Sequence, residues 1–121
     1  MGTVVQVADR NRLAGLRAQV DRVFVDDEIL QYILYLIIAT RKNPGLAQGA
    51  SPRAAISLAS LCRAVAFLRG RDYLITDDVR FIWVYAIAHR LILPAGAADS
   101  AQRAIAIAGD ILDQVRPPRL R

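Results

Sequence analysis

The sequence predicts an all-α domain of four to five helices. Two observations indicate this class: apolar residues recur at spacings of three and four along five segments, and most of these segments are bounded by residues that start or stop helices. The chain has 121 residues, of which 55% are hydrophobic and 22% charged. This length and composition are those of one folded domain with one core.

The domain is expected to span residues 12–116. Residues 1–11 show no clean periodicity, and we interpret them as a linker or as an artificial start left by cutting a longer gene. Residues 117–121 open with two prolines and form a tail. The first helix is predicted from Arg12 to Arg22, because one face carries Leu13, Leu16 and Val20.

The second helix has the strongest signals. Asp26 can accept hydrogen bonds from the free amides at its start, and Arg41 and Lys42 place cations at its negative end. Asn43-Pro44-Gly45 stops it, because proline disfavours helical geometry in the preceding residue. The predicted buried stripe consists of Ile29, Leu30, Ile33, Leu34, Ile37 and Ile38.

The third helix is predicted to begin at Ser51-Pro52, with serine as the N-cap and proline in the first helical position, and to end at Gly70. Many alanines would let other helices approach closely. Its predicted apolar face consists of Ile56, Leu58, Leu61, Cys62, Val65 and Leu68.

The fourth helix starts at Thr76, followed by Asp77 and Asp78, and is broken at Pro94–Gly96. Its face consists of Val79, Ile82, Trp83, Ala86, Ile87 and Leu91. A last helix from Ala98 to Val115 carries Ile105, Ala108, Ile111, Leu112 and Val115.

Two short segments, Val23–Val25 and Tyr73–Ile75, are prone to extended structure, and each directly precedes a capped helix. Their pairing as a minimal two-strand bridge is compatible with this pattern.

Several classes of protein are excluded by simple counts. The single cysteine, Cys62, cannot form an internal disulfide, and together with the single histidine, His89, it falls short of a four-ligand metal site. The longest apolar stretch, Ile29–Ala39, is too short for a membrane span of about 20 residues. No signal peptide opens the chain, so we expect a cytoplasmic protein. From the cysteine and histidine counts and the short apolar stretch, we expect neither a metal site nor a membrane partner.

The charge pattern weakens the case for a nucleic-acid partner. The net charge is +5, but three arginines (Arg116, Arg119 and Arg121) lie in the last six positions. The remaining chain has 13 basic and 11 acidic residues, a net charge of only +2. The main part of the domain is therefore not a strongly cationic surface.

No catalytic residues are predicted, because the chain lacks G-x-x-x-x-G-K-[ST], G-x-G-x-x-G and H-E-x-x-H. His89 is interpreted as a helix-end packing residue, with general base as the alternative. Cys62 lies on an apolar stripe and is expected to be a buried, inert thiol. The acidic clusters at residues 26–28 and 77–78 are explained by helix starts, with metal binding as the weaker alternative.

Arg53 is less easily explained. It lies at the second position of a helix, where a cation is unfavourable by roughly 0.3–1 kcal/mol unless a negative group is near. A helix start of this kind is suited to binding an anion, so Arg53 is a candidate phosphate ligand. The alternative is that Arg53 meets an internal carboxylate or solvent.

Four motifs, in order and spacing, resemble the C-terminal lid of MoxR-family AAA+ ATPases. They are Ala39-Thr40-Arg41, Gly49-Ala50-Ser51-Pro52-Arg53-Ala54, Gly70-Arg71-Asp72-Tyr73 with Thr76-Asp77-Asp78-Val79, and Ala88-His89-Arg90-Leu91. The resemblance covers about Leu13 to Pro118.

The resemblance implies a lid-type helical bundle in which Arg53 is the sensor 2 arginine, reaching the γ-phosphate of ATP. Ser51 and Pro52 would then form the helix start that presents it. Arg41 would make a salt bridge or a subunit contact, and His89 and Arg90, which also match, have packing as their first interpretation.

The resemblance also implies partners that this sequence does not contain. These are an N-terminal AAA+ core of the same polypeptide with ATP and Mg²⁺, neighbouring subunits of a hexameric ring, and von Willebrand A-domain proteins in chaperone-like maturation or metal insertion. Because the chain lacks the Walker motifs, it is not an ATPase by itself. The alternatives are a free-standing Arg-rich nucleic-acid-binding domain and a protein-interaction module.

Overall fold

The structure, a computed structural model of the chain, describes residues 2–46, 49–88, 91 and 100–118, which form five α-helices. These are α1 (Gly2–Asp21), α2 (Asp27–Lys42), α3 (Pro52–Leu68), α4 (Thr76–Ile87) and α5 (Ser100–Gln114). α3 packs against α1, α2 and α4, and α5 packs against α4 and α2. The predicted all-α class is confirmed. Within the described ranges, no helix is both long enough and apolar enough to cross a membrane.

α1 is longer than its apolar spacing indicates. It begins at Gly2 instead of Arg12, so residues 2–11 are helical where a linker was expected. From Arg10 to Gln19 every side chain is exposed, including Leu13 at 64% and Leu16 at 40%. Apolar periodicity did not indicate the first half of α1, because residues 1–11 show no clean apolar periodicity, whereas Leu13, Leu16 and Val20 supply it in the second half.

The two extended segments meet in a single parallel bridge between Phe24 and Tyr73, so the pairing that the sequence pattern left open is present in the described structure. The Phe24 amide donates to the Asp72 carbonyl at 2.8 Å, and the Leu74 amide donates to the Phe24 carbonyl at 2.9 Å. Val23 and Leu74 point into the core. The bridge therefore holds the starts of α2 and α4 side by side.

The buried face of α2 is rotated relative to the predicted stripe. Leu30, Leu34 and Ile38 are 41–44% exposed, so assigning them to the core is wrong. α2 is apolar on two adjacent faces, and hydrophobicity alone does not tell which one is covered. The buried residues are Ile29, Tyr32, Ile33, Leu36, Ile37 and Thr40.

The core face of α3 consists mainly of small residues. Ile56, Leu61 and Leu68, predicted to be buried, are 72%, 41% and 83% exposed. The pattern failed here because it favours large side chains, whereas α3 lies between three other helices and its alanines permit that close approach. The buried residues of α3 are Ala54, Ala55, Leu58, Ala59, Cys62 and Ala66.

α4 and α5 follow their predicted faces more closely. Trp83 is fully buried, and its indole Nε1–H donates to the Ala108 carbonyl at 2.8 Å, which joins the two helices. Ile82 is half-buried and Ile105 is 51% exposed, so Ile105 is a further wrong core assignment. The predicted break at Pro94–Gly96 lies outside the described residues. The predicted residues that are buried are Val79, Trp83, Ala86, Ile87, Leu91, Ala108, Ile111 and Leu112.

The start and end of α2 and the end of α3 agree with the sequence signals. Asp26 Oδ1 accepts from the Glu28 amide at 2.9 Å, and α2 ends at Asn43 as predicted. Gly70 has φ +79°, and its amide donates to the Phe67 carbonyl while the Arg71 amide donates to the Ala66 carbonyl. These two bonds form a Schellman motif, which satisfies the carbonyls at the end of α3.

Candidate functional site

The connection from α2 to α3 is organised by a buried hydroxyl. Thr40 lies in the last turn of α2 with no solvent exposure. Its Oγ1 donates to the Ile37 carbonyl at 2.6 Å and accepts from the Ala50 amide at 2.9 Å. The second bond joins the end of α2 to the residue immediately before Ser51, so it ties the start of α3 to α2.

A close backbone contact reinforces this connection. A Cβ atom on Gly49 would lie 2.5 Å from both the carbonyl carbon and the carbonyl oxygen of Thr40, and 2.6 Å from the Cα of Arg41. Real Cβ atoms essentially never come so close, so only glycine fits. We call the Thr40–Ala50 hydrogen bond and the Gly49 contact the α2–α3 junction.

The start of α3 has the predicted backbone but not the predicted side-chain cap. Ser51 is the N-cap residue with φ −78° and ψ 162°, and Pro52 follows in the first turn. The Ser51 hydroxyl makes no capping hydrogen bond. The predicted N-cap position is therefore correct, while a cap through the serine side chain is wrong.

Few backbone amides remain free at this helix start. Pro52 has no amide hydrogen, the Ala50 amide is bonded to Thr40, and the Ala54 amide donates to the Ser51 carbonyl at 2.9 Å. The backbone alone is therefore a weaker anion site than the sequence suggests. The side chain of Arg53 is the main group here that can meet a phosphate.

Arg53 is exposed on the first turn of α3. That turn contains no acidic residue. In the described parts of the chain, the ion pairs are those of Asp78 with Arg69 and Arg71, so none of them neutralises Arg53. An exposed cation at the positive end of a helix dipole is disfavoured, and an external anion would relieve this.

Of the other predicted site residues, Arg41 is among the described residues and His89 and Arg90 are not. Arg41 is exposed in the last turn of α2, where its backbone contacts Gly49. No acidic side chain of the described residues pairs with it, so the structure does not provide the internal salt bridge considered for it. His89 and Arg90 lie outside the described residues.

A cluster of charged side chains lies at the turn between α3 and α4. The fully buried Asp78 carboxylate accepts from Arg71 Nη1 at 2.7 Å and Nη2 at 2.6 Å, and Arg69 Nη1 lies 3.3 Å away. Asp78 Oδ2 also accepts from the Ile75 amide at 2.9 Å, at the start of α4. The motif Gly70-Arg71-Asp72-Tyr73 and Asp78 of α4 are thus linked by an internal ion pair.

The pKa of Asp78 reflects two opposing effects. Burial raises it, but the hydrogen bonds from Arg71 and from the Ile75 amide, with the charges of Arg71 and Arg69, outweigh burial and hold the pKa below its ordinary value. Asp78 is therefore a structural anion, and its predicted role at a helix start is only part of its function.

Cys62 fits the prediction of an unreactive thiol. It is fully buried in α3. Burial, together with the negative charge of Asp78, raises its pKa to about 12. The nucleophilic thiolate is therefore scarce at neutral pH.

The sequence reasoning did not single out Thr40 or the packing role of Gly49, although both residues lie in motifs that it quoted. A signal was available for Thr40, which follows Ile33 and Ile37 along one helical face and is thus a polar residue in an apolar register. Gly49 gave no comparable signal, because its close contact depends on how the loop folds back onto α2.

The chain matches the AAA lid domain family over residues 38–111. It is 35% identical over 116 residues to the uncharacterized protein YeaC of Bacillus subtilis, covering 96% of this chain and 36% of YeaC. It is 32% identical over 125 aligned positions to the chaperone MoxR1 of Mycobacterium tuberculosis, covering 95% of this chain and 33% of MoxR1.

The fold is also found in a solved structure. A crystal structure of a candidate ATPase from Cytophaga hutchinsonii superposes with a TM-score of 0.78 at 28% identity, covering 90% of this chain and 36% of that one. This chain thus spans about a third of the length of each of these three proteins. The α2–α3 junction and all of α3 and α4 fall within the matched family region. The chain belongs to the AAA lid domain family, as a lid of the MoxR type of AAA+ ATPase.

Proposed function

We propose that this lid senses the nucleotide of a MoxR-like AAA+ ATPase through Arg53, which acts as the sensor 2 arginine and contacts the γ-phosphate of ATP. The observation that carries the proposal is the exposed guanidinium on the first turn of α3, which no acidic side chain of the described residues neutralises. A planar cation with several donors suits a phosphate in geometry and charge.

ATP and Mg²⁺ would be held mainly by the ATPase core, since this chain contains no Walker motif. The residues present fit the contribution of one phosphate ligand, because the nearby amides of Ala50 and Ala54 are already bonded. In this proposal Arg53 binds the terminal phosphate of ATP. When hydrolysis removes that phosphate, Arg53 loses its contact and the lid is released. The lid thereby couples the nucleotide state to its surroundings.

The wider proposal follows the family resemblance. The lid would contact neighbouring subunits of a hexameric ring, with the exposed Arg41 available for such a contact. The assembly would act in chaperone-like protein maturation or metal insertion, with von Willebrand A-domain proteins as partners. The chaperone-like part of this proposal is supported by the name of one relative, the chaperone MoxR1, and the other parts rest on the family resemblance.

The test is ATP turnover by the full-length ATPase that carries this lid. We expect Arg53→Ala to lower turnover roughly a hundredfold, as does the loss of other groups that stabilise transition-state charge. Arg103→Ala is the matched control, because it removes another exposed arginine, on α5. Circular dichroism would verify that both variants fold. Wild-type turnover in Arg53→Ala would rule out the sensor role.

A further inference from the structure

We infer that Thr40 is a positioning residue for Arg53, which it controls through the α2–α3 junction. Thr40 touches neither the guanidinium nor the phosphate in this proposal. It determines where α3 starts relative to α2, and therefore where Arg53 is presented. The inference rests on the proposed function of Arg53.

The first support is that the Thr40 hydroxyl both donates and accepts a hydrogen bond. Oγ1 gives its proton to the Ile37 carbonyl at 2.6 Å, within α2, and accepts the Ala50 amide at 2.9 Å, from the loop. Thr40 is fully buried and Ala50 is 2% exposed. Water therefore cannot readily replace the hydroxyl, and the Ala50 amide would be left without a partner if the hydroxyl were removed.

The second support is the independent contact made by Gly49. Its Cα approaches the Thr40 carbonyl so closely that a Cβ atom would lie 2.5 Å from it. Two consecutive loop residues, Gly49 and Ala50, thus contact the same residue of α2, one through packing and the other through a hydrogen bond. Two contact points fix both the position and the direction of the chain that enters α3.

The third support is the short and stiff path from the junction to Arg53. Only Ser51 and Pro52 separate Ala50 from Arg53, and the proline ring restricts its own backbone rotation. Ala54 and Ala55, directly after Arg53, are buried in the core. The backbone of Arg53 is therefore held on both sides, and a change at Thr40 is transmitted to it.

The position of a charged group matters strongly in catalysis. A displacement of about 1 Å can lower a rate by about 10²-fold, even when the altered residue is distant from the reacting atoms. Phosphate contact by Arg53 should thus be sensitive to the junction, while the fold as a whole depends on the much larger core.

The test compares Thr40→Val with Thr40→Ser in the full-length ATPase. Valine keeps the shape of threonine without the hydroxyl, and serine keeps the hydroxyl. We expect Thr40→Val to lower ATP turnover about tenfold or more, and Thr40→Ser to restore most of it. Hydrogen exchange of residues 49–53 in the same protein should become faster only in Thr40→Val.

A double-mutant cycle separates positioning from a general structural effect. If Thr40 acts through Arg53, then Thr40→Val should cause little additional loss when Arg53 is already alanine. Gly49→Ala disturbs the same junction from the loop side and should behave in the same way, which provides a second variant should Thr40→Val fold poorly.

The outcomes distinguish this inference from the proposed function. Wild-type turnover in a folded Thr40→Val protein that shows faster exchange at residues 49–53 would overturn the inference. It would also be overturned if Thr40→Val lowered turnover by the same factor in the Arg53→Ala protein as in the wild type. Wild-type turnover in Arg53→Ala would instead refute the proposed function, and with it the purpose assigned to Thr40.

Discussion

The carboxylate of Asp78 is the most constrained charge in the described structure. It is fully buried, it faces two arginines and it accepts the amide of Ile75 at the start of α4. Breaking such a pair leaves an uncompensated group in the interior, which costs more than the intact pair contributes. Arg71 retains 19% side-chain exposure, so water can still solvate part of its charge.

We expect Asp78→Asn to reduce the free energy of unfolding at neutral pH by about 3 kcal/mol. The native pKa of Asp78 lies below its ordinary value. The ionised carboxylate therefore stabilises the fold above the unfolded pKa, and this contribution is lost as the pH falls through the native pKa. The stability difference between the wild type and Asp78→Asn should narrow in acid.

Urea denaturation followed by circular dichroism at a series of pH values measures this difference. Asp77→Asn is the matched control, since Asp77 is the exposed neighbour in the same helical turn and should change stability by at most about 1 kcal/mol. Equal effects of the two substitutions at neutral pH would contradict the role assigned to the Asp78 ion pair.

Single residues also show what a sequence can indicate and where that stops. Arg53 was identifiable as a candidate phosphate ligand because a cation at a helix start conflicts with a local rule, and that conflict is visible in the sequence; its role stays a prediction. The bonds of Thr40 to Ala50 and of Asp78 to Arg71 were not identifiable, because they depend on how separate segments meet. A neighbour that is distant in sequence leaves little trace in local spacing.

Among the helices, boundaries were more predictable than buried faces. The end of α3 at Gly70 and the starts of α2 and α4 follow from capping and stop residues, whose chemistry is local. Which face is buried depends on the neighbouring helices, so the exposed Leu34 and Ile56 were misassigned. Alanine faces such as that of α3 are especially hard to recognise, because small residues carry little hydrophobic signal.

Two glycines in different helical contexts should respond to alanine in opposite directions. Gly70 ends α3 with φ +79°, so Gly70→Ala should destabilise the fold by about 1 kcal/mol. Gly15 lies within α1, and a Cβ atom added there would meet nothing within 4 Å, so Gly15→Ala should stabilise by up to about 1 kcal/mol. Thermal unfolding of both variants tests this, and a destabilising Gly15→Ala would argue against α1 as a helix at that position.

Considered as one unit, the lid presents Arg53 on a firmly packed base. α3 lies against α1, α2 and α4, and the hydrogen bond from Trp83 to Ala108 joins α4 to α5. The parallel bridge holds α2 and α4 at their starts, and the α2–α3 junction positions α3 at the opposite end of α2. We expect Arg53 to move with the lid as a body when the nucleotide changes.

The most direct measurement is the affinity of the full-length ATPase for ADP and for a non-hydrolysable ATP analogue, with and without Arg53→Ala. If Arg53 contacts the γ-phosphate, the analogue should lose about tenfold or more in affinity, because a hydrogen bond to a charged group contributes about 1.5–3 kcal/mol. ADP, which lacks that phosphate, should bind with unchanged affinity. An equal loss for both nucleotides, or no loss for either, would contradict the assignment of Arg53 as the residue that senses ATP.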